Sequence, residues 1–224
     1  MAEFYHNLII EKSFKILQDL RREFDFILIG GWAVFLYAKA LKSKDIDLIV
    51  GYQELGRLRK KFELTKNERL KKYEIKQGEI DIDIYSPHYS DLGLPVGEIR
   101  NYAVKREGFW APKIEILFIL KQFVFERRRG SVKGEKDRLD ILSLLKIGEI
   151  NFGFYKELLK KYGLESFKEE LINLLKGAKQ APELGLNEYS MAKLRKKILE
   201  SIGPEKAKLN PRQNFNKYVK TKNN

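Results

Sequence analysis

Two carboxylate-bearing stretches and one glycine pair carry the clearest chemistry in this sequence. Asp45-Ile46-Asp47 runs into the apolar residues Leu48, Ile49 and Val50. An extended chain with a period of two puts both carboxylates on one face and Ile46 and Leu48 on the other. Two carboxylates so close repel each other, and a divalent cation between them relieves the repulsion. Residues 79–85, Glu-Ile-Asp-Ile-Asp-Ile-Tyr, alternate strictly, so Glu79, Asp81 and Asp83 share one face of a second strand. Gly30-Gly31 ends the apolar run 26–29, and glycines at a helix start let backbone N–H groups approach phosphate closely. The plain counterparts of these readings are the wet edge of a half-buried sheet and an ordinary turn.

These residues need a frame. The run 26–29 reads as a strand, 32–41 as a short helix and 46–50 as another strand, so phosphate seat and carboxylate pair belong to one continuous unit. Residues 2–23 form an amphipathic helix, with Phe4, Leu8, Ile9, Phe14, Leu17 and Leu20 near one face, that covers the first strand. The charged stretch 53–72 has Leu55, Leu58, Phe62 and Leu64 at helical spacing, and a hairpin around Gly78 follows. Residues 86–110 hold Pro87, Gly93, Pro95, Gly97 and Gly108, a turn-rich hinge with a strand near 101–106. A helix begins after Pro112, and Lys121 interrupts its apolar face, either snorkelling to solvent or directed at a phosphate. An arginine cluster at 127–129, a loop at 130–134 and Lys136-Asp137-Arg138-Leu139-Asp140 come next, then amphipathic helices near 151–162, 164–177 and 187–202. The expected fold is α+β: a small mixed β-sheet flanked by helices over 1–110, a helical bundle over 111–203, and a flexible basic tail over 204–224.

In combination, Gly30-Gly31, the helix, Ser43 and Asp45-Ile46-Asp47-Leu48 resemble the signature of the DNA polymerase beta-type nucleotidyltransferase superfamily. The segment ILFILK with Lys121, the arginine cluster and KDRLDI with Lys136 and Asp137 is similar to the second half of the AbiEii-type (abortive-infection) members, which include toxins acting on transfer RNA. The resemblance spans residues 25–147. It implies a metal cluster of Asp45 and Asp47 with a third carboxylate from the neighbouring strand, supplied by Asp83 or Asp81. Asp83 is preferred because Asp-Ile-Tyr-Ser-Pro resembles the way that strand ends in such enzymes. It also implies a triphosphate clamp of Gly30, Gly31, Lys42, Ser43 and Lys121, with Lys136 and Asp137 lining the same site. Lys42 stands where many relatives carry arginine, keeping the charge but losing the bidentate fork. Two divalent cations, Mg²⁺ or Mn²⁺, are the implied cofactors and an NTP the implied substrate. The acceptor hydroxyl would belong to transfer RNA, to a small molecule as in antibiotic adenylyltransferases, or to a protein, with a cognate antitoxin as a further partner. A non-catalytic RNA-binding module is the reading from a different class.

The totals agree with an intracellular, nucleic-acid-facing protein. The 224 residues, 43% hydrophobic, suffice for a real core. There is no cysteine, which removes disulfides, thiolate metal sites and cysteine nucleophiles, and two histidines, His6 and His88, are too few for a His-rich zinc site. No apolar run approaches 18 residues, so no membrane partner is expected, and the mixed N-terminus does not resemble a signal peptide; a cytoplasmic location is the expectation. The net charge is +13, and residues 151–224 hold 16 Lys/Arg against 8 Asp/Glu, a balance that favours polyanionic partners such as RNA.

Overall fold

The computed structural model describes residues 2–203, and side chains from residue 7 onwards. The basic segment 204–224 lies outside the described residues.

Helix α1 (Ala2–Glu23) leads to β1 (Ile27–Ile29), α2 (Gly30–Ala38) and β2 (Ile46–Ile49). Then come α3 (Tyr52–Lys61), the edge strand β3 (Thr65–Asn67) and the hairpin β4 (Lys72–Gln77) and β5 (Ile80–Tyr85). The five strands form one mixed sheet in the order β1-β2-β5-β4-β3. Only β2 and β5 run parallel, with Ile46 opposite Ile82, Asp47 opposite Asp83 and Leu48 opposite Ile84; the other pairs are antiparallel. The strict alternation of β5 explains its place. Ile80, Ile82 and Ile84 are fully buried, each contributing about 1.5–3 kcal/mol of apolar burial, so a register slip of one residue would turn them all into solvent.

The chain continues through α4 (Val96–Ile99) and the hairpin β6 (Ala103–Arg106) and β7 (Phe109–Pro112), whose turn residues Glu107 and Gly108 both have positive φ. Helix α5 (Ile114–Arg128) follows, buried on every side from Ile114 to Gln122, as expected of a helix apolar all round. Helix α6 (Val132–Ile147) lies against α5 and α2, capped by Ser131, whose Oγ accepts the Gly134 N–H at 3.0 Å. Helices α7 (Phe152–Tyr162), α8 (Ser166–Gly177) and α9 (Glu188–Ile202) complete the helical part. Gln122 of α5 ties them in, donating to the Phe167 carbonyl and accepting from Tyr155 Oη. The fold is thus α+β, a mixed sheet flanked by helices and followed by helices. Among the described residues no helix is long and apolar enough to cross a membrane.

Two local expectations need correction. The charged stretch 53–72 is not one helix: α3 stops at Lys61 and the chain returns as β3, because Thr65, Lys66 and Asn67 pair with β4 at the sheet edge and tertiary pairing overrides local spacing. Leu8 does not join the buried face of α1 but is largely exposed. In the β6–β7 hairpin Trp110 is exposed, whereas Phe109 is buried beneath the Arg21 guanidinium.

Candidate active site

The start of α2, the strands β2 and β5 and the facing side of α5 and α6 meet at Asp47. Gly30 makes the turn from β1 into α2 at φ +68°, and a Cβ there would lie 2.6 Å from Asp47 Cγ and 2.8 Å from Asp47 Cβ, with Oδ2 closer still. Only glycine fits the dihedral and the space together. A Cβ on Gly31 would fall 2.8 Å from Ser43 Oγ and 3.8 Å from Lys136 Nζ. Lys136 donates to Ser43 Oγ at 3.3 Å. No side chain caps the start of α2, so its first N–H groups remain donors beside Ser43 and Lys136.

Asp47 lies on β2 with Asp83 directly beside it on β5. The parallel register therefore brings Asp83, not Asp81, alongside Asp47. Asp81 is exposed two pairs further along, across from Lys76. Asp45 precedes β2 in a bend rather than within the strand. Two carboxylate oxygens here, Asp45 Oδ1 and Asp83 Oδ1, are buried without a hydrogen-bond partner, and Asp47 Oδ1 has only a long contact, 3.5 Å, from Tyr85 Oη. Buried carboxylate oxygens in need of a counter-charge are the donor type that hard divalent cations take. They do not yet form a cage: no three His, Cys, Asp or Glu side chains among the described residues converge on one metal position. Lys72, at the start of β4, supplies a counter-charge instead: its Nζ binds Asp83 Oδ2 at 2.6 Å and Glu74 Oε1 at 3.0 Å.

The electrostatics follow from this crowding. Burial, then the neighbouring Asp47 charge, pushes Asp83 up to about 6 despite Lys72. Burial also raises Asp47; Lys121 pulls it back and Asp45 pushes it further. Tyr85 is raised well above the phenol range by burial and by Asp47. Burial would lower Lys72, but its bonds to Asp83 and Glu74 outweigh that and hold it above the ordinary lysine range.

Lys121 does not snorkel. It is 7% exposed, and its Nζ contacts Asp140 Oδ2 at 2.7 Å and Asp137 Oδ1 at 3.3 Å. Burial acts to lower it, yet the charges of Asp140 and Asp137 win and keep it protonated, within the field of Asp47. Asp137 is itself buried, with Arg128 Nη1 3.5 Å from Oδ2. Lys121, Lys136 and Asp137 thus come from two helices to the neighbourhood of Asp47 and Ser43, while Lys42, next to Ser43 in the chain, lines a hollow of about 520 Å³ between α1 and α2 with Phe14, Trp32 and Phe35. Sequence reasoning missed Lys72, Tyr85 and Asp140. Asp140 carried a signal, three residues after Asp137 on the same helix face; Lys72 carried none, since its partner lies across a hairpin.

No known protein-family profile matches the chain, and no curated protein matches it. Solved structures of similar shape include an antigenic nucleotidyltransferase-like protein from Paracoccidioides brasiliensis (17% identity, TM-score 0.45, covering 80% of this chain and 93% of that one). They also include a candidate nucleotidyltransferase from H. pylori (20%, 0.46, 88% and 97%) and JHP933 from Helicobacter pylori (15%, 0.43, 85% and 94%). These are likenesses of overall shape at low identity; the reading of the site rests on its own geometry.

Proposed function

We propose that this protein is a metal-dependent nucleotidyltransferase of the DNA polymerase beta type, moving a nucleoside monophosphate from an NTP to a hydroxyl of RNA, with transfer RNA the leading acceptor. The observation that carries the reading is the direct contact of an uncapped, glycine-opened helix start with Asp47 and, beside it, Asp83. A seat for phosphate and a seat for cations share one side chain. The Gly30 and Gly31 N–H groups, the Ser43 hydroxyl and the Lys136 ammonium would donate to the triphosphate as fixed dipoles and charge. Lys121, locked between Asp137 and Asp140, would add positive potential rather than a mobile clamp. Asp45, Asp47 and Asp83 would hold Mg²⁺ or Mn²⁺, which supplies Lewis-acid stabilisation of the transferring group and acidifies the attacking hydroxyl. The acceptor oxygen would form the new bond to the α-phosphorus, pyrophosphate would leave, and Asp83, on the acceptor side, would take the proton. The sequence resemblance to AbiEii-type toxins further suggests a cognate antitoxin as partner.

Incubation with α-labelled and, separately, γ-labelled NTPs, Mn²⁺ and total RNA tests this. Label on RNA from the α-position alone is expected; no transfer to any acceptor from any NTP would refute it. The ion pair of Lys72 with Asp83 favours one second reading, a nucleotide-binding module that does not turn over. NTP binding without transfer would select it.

A further inference from the structure

Lys72 and Tyr85, which touch Asp83 and Asp47, also line a cavity of about 540 Å³. Six cations line it: Arg69 and Lys71 from the β3–β4 turn, Lys72, Arg127 and Arg128 from the end of α5, and Lys133 from the start of α6. Asp91 is the one acidic lining residue, and Arg127 already binds it at 2.6 Å. Arg69 and Lys133 have no hydrogen-bond or ion-pair partner among the described residues. Lys71 already pairs with Glu68, Lys72 with Asp83 and Glu74, and Arg128 with Asp137, so the uncompensated charge on this wall is that of Arg69 and Lys133, and a polyanion bound there displaces their counterions.

The cavity is joined to the carboxylates by shared side chains. Lys72 belongs to its wall and binds Asp83, and Tyr85 belongs to its wall and approaches Asp47. It is not the triphosphate seat. The Gly30 turn lies at β1 and Lys72 at β4, three strand spacings across the sheet, about 14 Å. The wall also carries aromatic surface, Tyr85 and Phe123, with the Arg127 guanidinium 3.9 Å over the Phe123 ring. Phe123 is covered by Arg127 and packs against Gly93, so the stacking surface is the guanidinium held flat on the ring. A basic groove of this kind suits a single strand, whose bases stack on such planes while its backbone follows the charges. The other basic cluster, Lys193, Arg195, Lys196 and Lys197 on α9, is elsewhere. Lys197 Nζ reaches Gly148 at the end of α6, twelve residues or about 18 Å along the helix from Lys136.

We propose that this cavity binds the backbone phosphates of a single-stranded RNA end and delivers its terminal hydroxyl toward Asp83. The delivery rests on the nucleotidyltransferase reading; the binding does not. Fluorescence anisotropy with a labelled single-stranded 12-mer, free of metal and NTP, over a salt series tests it with the full chain. The double variant Arg69→Ala/Lys133→Ala is expected to bind about tenfold more weakly and to lower the salt slope by about 1.4, two contacts at about 0.7 each. Lys193→Ala/Lys196→Ala on α9 is expected to stay within about twofold. An unchanged cavity variant with an unaltered circular dichroism spectrum, loss confined to the α9 variant, or tighter binding of duplex RNA or of DNA of the same sequence would each overturn the proposal. Mn²⁺–NTP binding to the parent is measured alongside: its absence would sink the transferase reading while leaving the RNA result standing.

Discussion

Gly30→Ala isolates the contact on which the site is built. Two costs add at this position. An L-residue held at φ +68° costs about 1–2 kcal/mol. The new methyl would also sit 2.6–2.8 Å from Asp47 Cγ and Cβ, forcing a shift of the kind that costs about 1–3 kcal/mol in a packed interior. The total is roughly 2–5 kcal/mol. Gly163→Ala is the matched control: Gly163 has φ +66° at the end of α7, and a Cβ there meets nothing within 4 Å, so only the dihedral cost of about 1–2 kcal/mol applies. Urea denaturation followed by circular dichroism, with unchanged m-values, gives both numbers. Adding Asp47→Ala removes the carboxyl group that the Gly30→Ala methyl meets but keeps Cβ at 2.8 Å, so the double-mutant cycle should return only part of the clash, a coupling of about 1–2 kcal/mol in the rescuing direction. If Gly30→Ala costs no more than Gly163→Ala, or if the cycle shows no coupling, the close packing of helix start on carboxylate is wrong.

Other consequences follow from the ion pairs. Lys121→Met leaves Asp137 and Asp140 buried without their shared cation, and a loss of about 3–5 kcal/mol is expected in thermal or urea melts; an unchanged melting temperature would show the ammonium to be unimportant to the fold. Asp83, near 6 when folded against an ordinary 3.8, binds its proton more tightly in the native state. Metal-free stability should therefore fall as pH rises from about 4 to about 6, by at most about 3 kcal/mol, and Asp83→Asn should flatten that slope; a slope of opposite sign in the parent contradicts it. Lys72→Met removes the cation that occupies Asp83 and should tighten Mn²⁺ binding several-fold by electron paramagnetic resonance, whereas weaker binding would mean that Lys72 helps to build the site.

The sequence carried what is local. The glycine turn, the period-two carboxylates and the isoleucine face of β5 depend on neighbours in the chain, so their pattern survives in one dimension. Which of Asp81 and Asp83 stands beside Asp47 did not, because that depends on the parallel register pairing Asp47 with Asp83, 36 residues apart; only the resemblance of Asp-Ile-Tyr-Ser-Pro favoured Asp83. β3 was hidden because a polar edge strand has no alternation to show. The β6–β7 hairpin left a usable sign in Glu107-Gly108, a two-residue turn with both φ values positive. Lys72 and the pair Arg69 and Lys133 were illegible for a different reason: each is an ordinary surface-type cation until the fold sets it against Asp83 or an empty basic wall.

The central claim is that the β2 and β5 carboxylates, seated against the α2 start, transfer a nucleotide. Its most direct measurement is the rate of α-phosphate label transfer to RNA by Asp47→Asn, compared with the parent at matched stability. Asp47→Asn keeps the shape and removes the charge, so the account predicts a fall of at least about 10²-fold with urea melts unchanged or slightly improved. Transfer at near the parental rate would contradict it.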